Sequence, residues 1–464
     1  MAAELDKPGV LTRFGIAVSD FCERYFPDAF VFALGGVLVV AAFGLALGEA
    51  PVKLVREFGG GFWALLPFTM QMALVIVGGF VVASSPPVAR LIGRLAALPR
   101  TPRGAVAFVA LFSTLTSLVS WGLSLIFTGL LVRQICRKLE GVDYRAIGAA
   151  AYLGLGSVWA LGLSSSAALL QATRGSIPEP LLRITGVIPL SQTIFLWQSL
   201  LLAALLIAIS VGIAFASCPP AGHARTAADM GVVFDETVET VDTPRTPGER
   251  WEHSPLLSLA VALLMLAYLG LEVREKGILS ALDLNNFNLM FLAAGLLLHW
   301  RPRAFLRAVA RAVPATAGVL IQYPFYGGIF GLISKTAIAA TLADQFVRVS
   351  TRATLPLIAG IYSAVLGLFV PSGGAKWVIE APYVMAAANR WEVHLGWMVQ
   401  VYNAAEALPN LINPFWMLPL MGILGVRARD LAGYSILQLL IHIPVVLLLC
   451  WLLAFTLPYR PPAG

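Results

Sequence analysis

The sequence predicts an all-α polytopic membrane protein made of inverted repeats, each with a re-entrant hairpin and a broken transmembrane helix. Three observations predict this class: the composition, the spacing of the apolar runs and the positions of the arginines. Of the 464 residues, 58% are hydrophobic and 12% are charged, about half the charged fraction of soluble domains. A chain this apolar is not expected to stay dissolved in water, so its apolar runs are predicted to be membrane segments.

Apolar runs of about 20 residues, long enough for a helix to cross the hydrocarbon core, recur along the chain. They predict spans at 29–48, 62–84, 146–172, 192–217, 255–272, 284–300, 314–333, 395–424 and 432–456. Two further apolar segments, 104–135 and 354–388, are interrupted by Ser, Thr, Gly or Pro. These two segments require a different explanation.

The arginines predict which side of the membrane each loop occupies. Loops 86–103, 133–145 and 301–312 are strongly basic, so the positive-inside rule places all three, and with them the N-terminus, in the cytoplasm. Segment 104–135 therefore has both ends on one side, yet its 32 residues fall short of the roughly 40 that two crossings need. A re-entrant hairpin with its turn in 113–122 resolves the conflict.

A second hairpin is predicted at 354–388, entering from the opposite side. Each hairpin precedes an interrupted span: 146–172, with a break in "GLSSSAA" (162–168), and 395–424, with a break in "AEALPNLINP" (405–414). Irregular backbone at membrane depth is tolerated only where it is buried in protein or lines a cavity. The hairpins and breaks therefore predict a site inside the membrane.

The order span, hairpin, broken helix, span occurs twice with opposite predicted orientation. Residues 1–217 form the N-terminal half and 255–464 the C-terminal half, joined by a polar cytoplasmic linker at 218–254. This arrangement is typical of secondary transporters with inverted repeats.

The tip "PSGGAKW" of the second hairpin is the strongest candidate for substrate binding. Gly373 and Gly374 let the backbone approach a ligand, and the N–H groups that begin the next helix suit a carboxylate. Freed carbonyls and the hydroxyl of Ser372 suit Na⁺ instead. The structural alternative is a kinked helix whose small residues pack closely on a neighbour.

Lys376 and Glu380 are four residues apart, so they share one helix face and could pair. Charged residues inside a membrane usually have a function. Lys376 is therefore expected either to bind the substrate carboxylate or only to neutralise Glu380, and the sequence leaves both roles open.

The first tip is rich in hydroxyl groups, and like the second it places a tryptophan after small polar residues. Ser120, Trp121 and Gly122 are predicted to bind substrate. The structural alternative is that these hydroxyls bond back to carbonyls of their own helix.

The two helix breaks are predicted to bind the coupling ion. Ser164, Ser165 and Ser166 point in three directions around a helix and so do not form one packing face. Beside Pro409 and Pro414 lie the side chains of Glu406, Asn410 and Asn413. Such oxygens suit a hard cation, whereas a proton on Glu406 would make the coupling ion H⁺, and a plain proline kink is the structural alternative.

The sequence argues against several other functions. The cysteines and histidines are scattered without metal-ligand spacing, so no cofactor and no metal beyond a transported Na⁺ is expected. No basic stripe predicts a nucleic-acid partner, and no nucleotide-binding loop is present. An intramembrane enzyme would have only Ser372 near Lys376 as a conceivable dyad, and it would leave the two hairpins unexplained.

Four motifs resemble the bacterial short-chain fatty acid transporter family, which includes acetoacetate- and butyrate-associated permeases and belongs to a wider ion transporter superfamily. The resemblance extends over about 15–456. The motifs are "SWGLSLIFTGLLVRQI" (120–135), "NNFNLMFLAAGLLLH" (285–299), "FVPSGGAKWVIEAP" (369–382) and "ALPNLINPFWMLPLMGILGVRARDLAGY" (407–434).

The resemblance implies cation-coupled symport of small monocarboxylates across the bacterial inner membrane by a homodimer with an elevator mechanism. It assigns substrate to the two tips and the coupling ion, Na⁺ or H⁺, to the two breaks. This chain departs from the family pattern at Ala375, Glu380 and Ala405-Glu406, which leaves the substrate and the ion open. The alternative is a C4-dicarboxylate or aminobenzoyl-type carrier, although a dianion favours a second buried cation and the tips offer only Lys376.

Overall fold

The structure is a computed structural model that describes Arg24 and residues 29–234, 246–370 and 372–462. All regular elements among these residues are helical. The predicted cytoplasmic N-terminus, part of the predicted linker and Pro371 of the second tip lie outside the described residues.

The N-terminal part begins with long apolar helices and ends with another after the interrupted segment. Its α-helices are α1 (Ala29–Ala46), α2 (Pro51–Phe62), α3 (Leu66–Ala83), α4 (Pro86–Leu95), α5 (Pro102–Val119), α6 (Trp121–Lys138), α7 (Tyr144–Leu153), α8 (Ser166–Ala172), α9 (Glu179–Thr185) and α10 (Trp197–Ser217).

The C-terminal part repeats the order of a helix pair, an interrupted helix and a final long helix. Its α-helices are α11 (Pro247–Glu252), α12 (Pro255–Lys276), α13 (Ile278–Ala281), α14 (Leu284–His299), α15 (Pro302–Ala312), α16 (Ala317–Ser334), α17 (Ala337–Val349), α18 (Leu355–Phe369), α19 (Gly373–Arg390), α20 (Leu395–Asn410), α21 (Pro414–Leu424) and α22 (Ala428–Ala454). The opposite orientation of the two parts stays a prediction.

Seven helical segments of the described chain are long and apolar enough to cross a membrane, as expected of a multi-pass membrane protein. Two predicted spans, 29–48 and 284–300, correspond to shorter apolar helices. The first leg of the first hairpin, Pro102–Val119, reaches the length and hydropathy of a span.

Helices α5 and α6 form the first hairpin and are separated by a single residue. Ser120 is extended, with φ −156° and ψ 121°, and its hydroxyl accepts from the N–H of Leu123 at 3.3 Å. The Ser124 hydroxyl donates to the carbonyl of Ser113 at 2.8 Å, so the two legs lie side by side. Each leg has 18 residues, about 27 Å of helix. The two legs together exceed the 32 residues of the predicted segment 104–135, and their depth in the membrane stays a prediction.

Helices α18 and α19 form the second hairpin: α18 ends at Phe369 and α19 begins at Gly373. The ammonium of Lys376 on α19 donates to the carbonyl of Ser363 on α18 at 2.7 Å, so these legs also lie side by side. Helix α19 thus begins within the predicted Pro-Ser-Gly-Gly stretch.

The first broken helix is interrupted over more residues than predicted. After α7 the chain forms a π-helix at Gly154–Val158 and a 3₁₀ turn at Trp159–Leu161 before α8 begins at Ser166. The freed backbone groups bind the first hairpin tip: the N–H of Leu163 donates to the carbonyl of Leu118 at 2.6 Å. A Cβ at Gly162 would lie 2.1 Å from that carbonyl oxygen, so only glycine permits this approach.

The second broken helix is interrupted over fewer residues than predicted. Helix α20 continues through Pro409 to Asn410, and α21 begins at Pro414. Glu406 therefore lies inside a helix, in contrast to its predicted place within a break at 405–414. A proline in a membrane helix is tolerated when neighbouring groups satisfy the freed backbone, and the hydroxyl of Tyr152 donates to the carbonyl of Asn410 at 2.7 Å.

Close backbone packing joins the two parts of the chain. A Cβ at Gly61 on α2 would lie 2.4 Å from the carbonyl oxygen of Gly327 on α16, and one at Gly331 would lie 2.2 Å from that of Glu57. Small residues spaced four apart allow membrane helices to approach in this way.

Asp143 fixes the start of α7 and the beginning of the linker. Its buried carboxylate accepts from the N–H groups of Arg145 and Ala146 at 3.1 and 2.9 Å, and it pairs with the Arg145 guanidinium at 2.7 Å. It also accepts from the N–H of Arg225 at 3.0 Å. The Asp143 carboxylate therefore caps α7 and fixes the backbone of the linker at Arg225.

Asp143→Ala is expected to destabilise the protein by about 2–4 kcal/mol, because several donors would lose a buried acceptor. Asp229→Ala is the matched control, since Asp229 caps its turn through Thr226 but is exposed, and it should cost about 1 kcal/mol or less. Thermal unfolding of the purified variants in detergent measures both effects. Equal unfolding temperatures for the two variants would contradict this role of Asp143.

Candidate functional site

A cavity of about 550 Å³ lies between the two hairpin tips. It is lined by parts of α3, the first tip and α6, the end of α15, the first turns of α16 with the segment before them, Ser372 of the second tip, and α21. The lining residues are Ile76, Phe80, Trp121, Gly122, Leu125, Ile126, Arg311, Pro314, Ala315, Gly318, Val319, Gln322, Tyr323, Ser372, Trp416, Pro419, Gly422 and Ile423.

The closed end of the cavity combines hydroxyl groups with an aromatic wall. Ser372 and Tyr323 are buried, and the serine hydroxyl donates to the tyrosine oxygen at 3.1 Å. The tyrosine O–H hydrogen can then be donated to a ligand. Trp121 forms the wall, with its ring edge-on to Trp416 at 5.7 Å.

The other end of the cavity is open and carries a positive charge. Arg311, Pro314 and Gly422 are exposed there. Of the described residues that line the cavity, Arg311 is the charged one. An anion approaching through this end would meet a guanidinium first.

A second, much smaller space of about 10 Å³ lies beside the closed end. Ser166 at the start of α8 and Gly373 at the start of α19 both line it, together with Trp159. Two helix N-termini, each a favourable site for negative charge, therefore border one space. The N–H of Gly373 has no hydrogen-bond acceptor among the described residues.

Behind the second tip lies a buried cluster of three charged side chains. The Lys376 ammonium is 2.8 Å from Oε2 of Glu406 and 3.5 Å from Oε2 of Glu380. All three residues have 0% exposure. We call them the charge triad.

Neighbouring groups complete the surroundings of the triad. The Lys376 ammonium donates to the carbonyl of Ser363 at 2.7 Å and lies 4.4 Å from the centre of the Tyr402 ring. Ser363 also donates its hydroxyl to Glu380. The ammonium therefore hydrogen-bonds the carbonyl of Ser363 and lies within ion-pair distance of both carboxylates.

The structure brings some of the predicted substrate residues together in the two spaces. Trp121, Gly122 and Ser372 line the large cavity, and Gly373 lines the small one. The remaining predicted substrate residues lie outside both spaces: Ser120 caps α6, Gly374 packs against Phe68, and Lys376 belongs to the charge triad.

The predicted ion-binding serines have different surroundings. The Ser164 hydroxyl accepts from the N–H of Trp121 at 3.1 Å and donates to the carbonyl of Ser117 at 3.2 Å. Ser165 caps α8 by accepting from the N–H of Ala168, and Ser166 lines the small space. Ser164 and Ser165 thus have structural partners.

In the second broken helix, Glu406 belongs to the charge triad and Asn410 lies one turn further along α20. The side-chain oxygen of Asn410 is buried and has no hydrogen-bond partner among the described residues. Asn413 is half-buried in the break itself. An ion-binding role for these residues stays a prediction.

Four residues contribute to the site but were not predicted from the sequence as part of it: Tyr402, Ser363, Arg311 and Trp416. Tyr402, Glu406 and Asn410 recur every four residues, so the sequence did contain a signal for one polar helix face. The other three have no local signal, because tertiary packing brings them to the site.

The sequence profile described as "Short chain fatty acid transporter" matches residues 10–454. The chain belongs to this family. It is 35% identical over 437 residues to a protein of Escherichia coli (strain K12) that is provisionally named a short-chain fatty acid transporter, covering 93% of this chain and 97% of that protein. A protein of Haemophilus influenzae with the same provisional name is 31% identical over 446 residues, covering 95% and 99%.

Two solved structures share the fold of this transporter family member. The YdaH transporter of Alcanivorax borkumensis aligns with a TM-score of 0.57 at 16% identity, over 94% of this chain and 100% of that one. MtrF of Neisseria gonorrhoeae, described as one of a class of antimetabolite efflux pumps, aligns with a TM-score of 0.59 at 13% identity, over 97% and 99%.

These findings confirm the family resemblance and the all-α membrane class. The chain is a multi-pass membrane transporter, and the enzyme alternative is set aside because its family is a transporter family.

Alanine substitutions at Gly122 and Gly374 are expected to differ in their effect on stability. A Cβ at Gly122 would have no described atom closer than 3.6 Å, whereas one at Gly374 would lie 2.6 Å from Cζ of Phe68. Gly374→Ala should cost about 1–3 kcal/mol through overpacking, and Gly122→Ala should be neutral or slightly stabilising. Thermal unfolding in detergent compares them, and a Gly122→Ala variant less stable than Gly374→Ala would refute this packing.

Proposed function

We propose that the protein carries short-chain monocarboxylates, such as butyrate or acetoacetate, across the bacterial inner membrane together with Na⁺ or H⁺. The observation that supports this proposal best is the cavity in which residues of both hairpin tips meet. Membership of the short-chain fatty acid transporter family supports the substrate class.

The cavity suits a small molecule with an apolar tail and one polar end. Its walls are mostly aliphatic and aromatic, and its donors lie at the closed end. The Tyr323 hydroxyl and the Trp121 indole N–H, which is buried without a hydrogen-bond partner among the described residues, are available to a carboxylate. The alkyl chain would then contact Ile76 and Leu125.

The charges favour a monocarboxylate over a C4-dicarboxylate or an aminobenzoyl-type substrate. A dianion would need two cationic partners. Among the described residues that line the cavity, Arg311 supplies one positive charge, and Lys376 is engaged by the glutamates of the triad. Arg311 lies at the open end, so the described residues of the closed end offer neutral donors for one carboxylate and no cation for a second one beside it.

The charge triad supports coupling to a cation. Two ionised glutamates and one lysine carry a net charge of −1 in a fully buried place, which is costly. One H⁺ or one Na⁺ would bring the sum to zero. The proposal also includes a homodimer, an elevator movement and a cytoplasmic N-terminus. The family resemblance supports the first two, and the loop charges support the third.

Purified protein in liposomes is expected to take up radiolabelled butyrate or acetoacetate when a Na⁺ or H⁺ gradient is imposed. Protein-free liposomes provide the control, because the undissociated acid also crosses lipid. Absence of gradient-driven uptake above that control for every C2–C6 monocarboxylate would refute the proposed function.

Arg311→Gln is expected to raise the KM for butyrate about threefold to tenfold at low salt, because a charge at a cavity mouth mainly raises the local substrate concentration. The effect should shrink at high ionic strength, where such charges are screened. Arg307→Gln is the matched control on the same helix, since Arg307 does not line the cavity. Equal KM values for the two variants at low salt would contradict the role of Arg311.

A further inference from the structure

We propose that Lys376, Glu380 and Glu406 together form a site for one exchangeable proton, so that H⁺ is the coupling ion. One proton would then move with one monocarboxylate anion, and transport would be electroneutral. This inference rests on the proposed function and adds the coupling ion and its binding residues.

The triad lacks one positive charge. Oε2 of Glu380 and both carboxylate oxygens of Glu406 are buried without a hydrogen-bond partner in the described part of the chain, although the Oε2 atoms lie within ion-pair distance of Lys376. A carboxylate buried in this way is stabilised when it gains a proton. Because the two carboxyls share one ammonium, the proton belongs to the pair rather than to either residue.

The same geometry disfavours Na⁺. A hard cation takes several oxygen ligands, and it would sit beside an ammonium that is already 2.8 Å and 3.5 Å from the two carboxylates. Besides the carboxylates, one further side-chain oxygen on the same face of α20 is buried without a partner in the described residues, that of Asn410. A proton needs no ligand set and adds directly to a carboxylate oxygen.

The other titratable groups around the triad do not alter this charge count. Tyr362 and Tyr383 bond to each other at 2.8 Å between their hydroxyls, Tyr402 donates to the carbonyl of Gly373 at 2.5 Å, and Tyr323 accepts from Ser372. Phenols ordinarily titrate near pH 10, far above the range in which a carboxyl pair exchanges a proton. They therefore remain neutral when the triad changes charge.

The triad is connected to the second tip through short contacts. Lys376 lies one turn after Gly373, whose carbonyl accepts from Tyr402. A Cβ at Gly373 would lie 3.8 Å from Cγ of Glu406. Protonation of either glutamate weakens its attraction to Lys376, which lies four residues after Ser372 of the cavity lining. Proton binding and ligand binding therefore both act on the start of α19.

The charges balance across the cycle. On loading, one carboxylate of the triad takes up H⁺ and becomes a neutral carboxyl group, while the substrate carboxylate binds at the tips. On release the O–H bond breaks again, and H⁺ and the anion leave on the same side. No other bond changes, and the net charge that moves is zero.

The first test measures uptake of radiolabelled butyrate into proteoliposomes under three separate driving forces. An inwardly directed H⁺ gradient is expected to drive uptake above that of protein-free liposomes. A Na⁺ gradient at equal pH, and a K⁺–valinomycin membrane potential of either sign, should have no effect on uptake. This test uses the wild-type protein and needs no variant.

The second test compares Glu380→Gln and Glu406→Gln with Glu179→Gln, an exposed control. Either buried substitution leaves the triad neutral without a proton. The ratio of H⁺-driven uptake to butyrate exchange at equal pH should fall by about tenfold, a typical size of coupling between two sites, and should not change in the control. Infrared difference spectra between acidic and neutral pH in detergent should lose a protonated-carboxyl band in both buried variants.

The outcomes distinguish a failure of the proton site from a failure of the transport function. If butyrate exchange occurs but a Na⁺ gradient or a membrane potential drives uptake, the proton site is wrong and the transport function stands. If the Gln variants keep the wild-type ratio, or the wild-type infrared band is absent, the proton site is also wrong. If neither exchange nor uptake of any C2–C6 acid occurs, the proposed function fails and the proton site fails with it.

Discussion

The ion pair between Lys376 and Glu406 is the interaction on which the arrangement of the site depends. It joins the second hairpin to the second broken helix through two fully buried side chains 2.8 Å apart. Removing one partner of a buried pair typically costs about 3–5 kcal/mol, because the other charge is left without compensation. The position of the second tip is therefore fixed by electrostatics as well as by packing.

Hairpin tips and helix breaks also satisfy each other's backbone groups. In the first half, Leu163 donates to Leu118 and Ser164 accepts from Trp121. In the second half, Tyr402 donates to Gly373. Unsatisfied backbone groups are costly inside a membrane, so each tip and its partner helix are expected to move together. This favours the elevator movement of the proposed function, in which such a unit travels as one body.

The sequence predicted the positions of the turns better than the extents of the breaks. Ser120 and the Ser-Gly-Gly stretch after Pro371 disfavour a continuous helix, and the second leg of each hairpin begins within the predicted tip. The break in the first half is longer than predicted because a π-helix precedes Gly162. No single residue in the sequence predicts that π-helix. The break in the second half is shorter, because Pro409 stays in the helix while Tyr152 satisfies the backbone near it.

The sequence by itself determined that the chain is a membrane protein with two helical hairpins and two broken helices. Composition decides the first point, and the second follows because helix-breaking residues act on the backbone next to them. It also placed Lys376 and Glu380 on one helix face. Only the tertiary structure decided that Lys376 contacts Glu406 more closely than Glu380, and that Arg311 lies at the mouth of the cavity. These contacts join segments far apart in the chain, and their distances follow from how the helices pack, which no local pattern encodes.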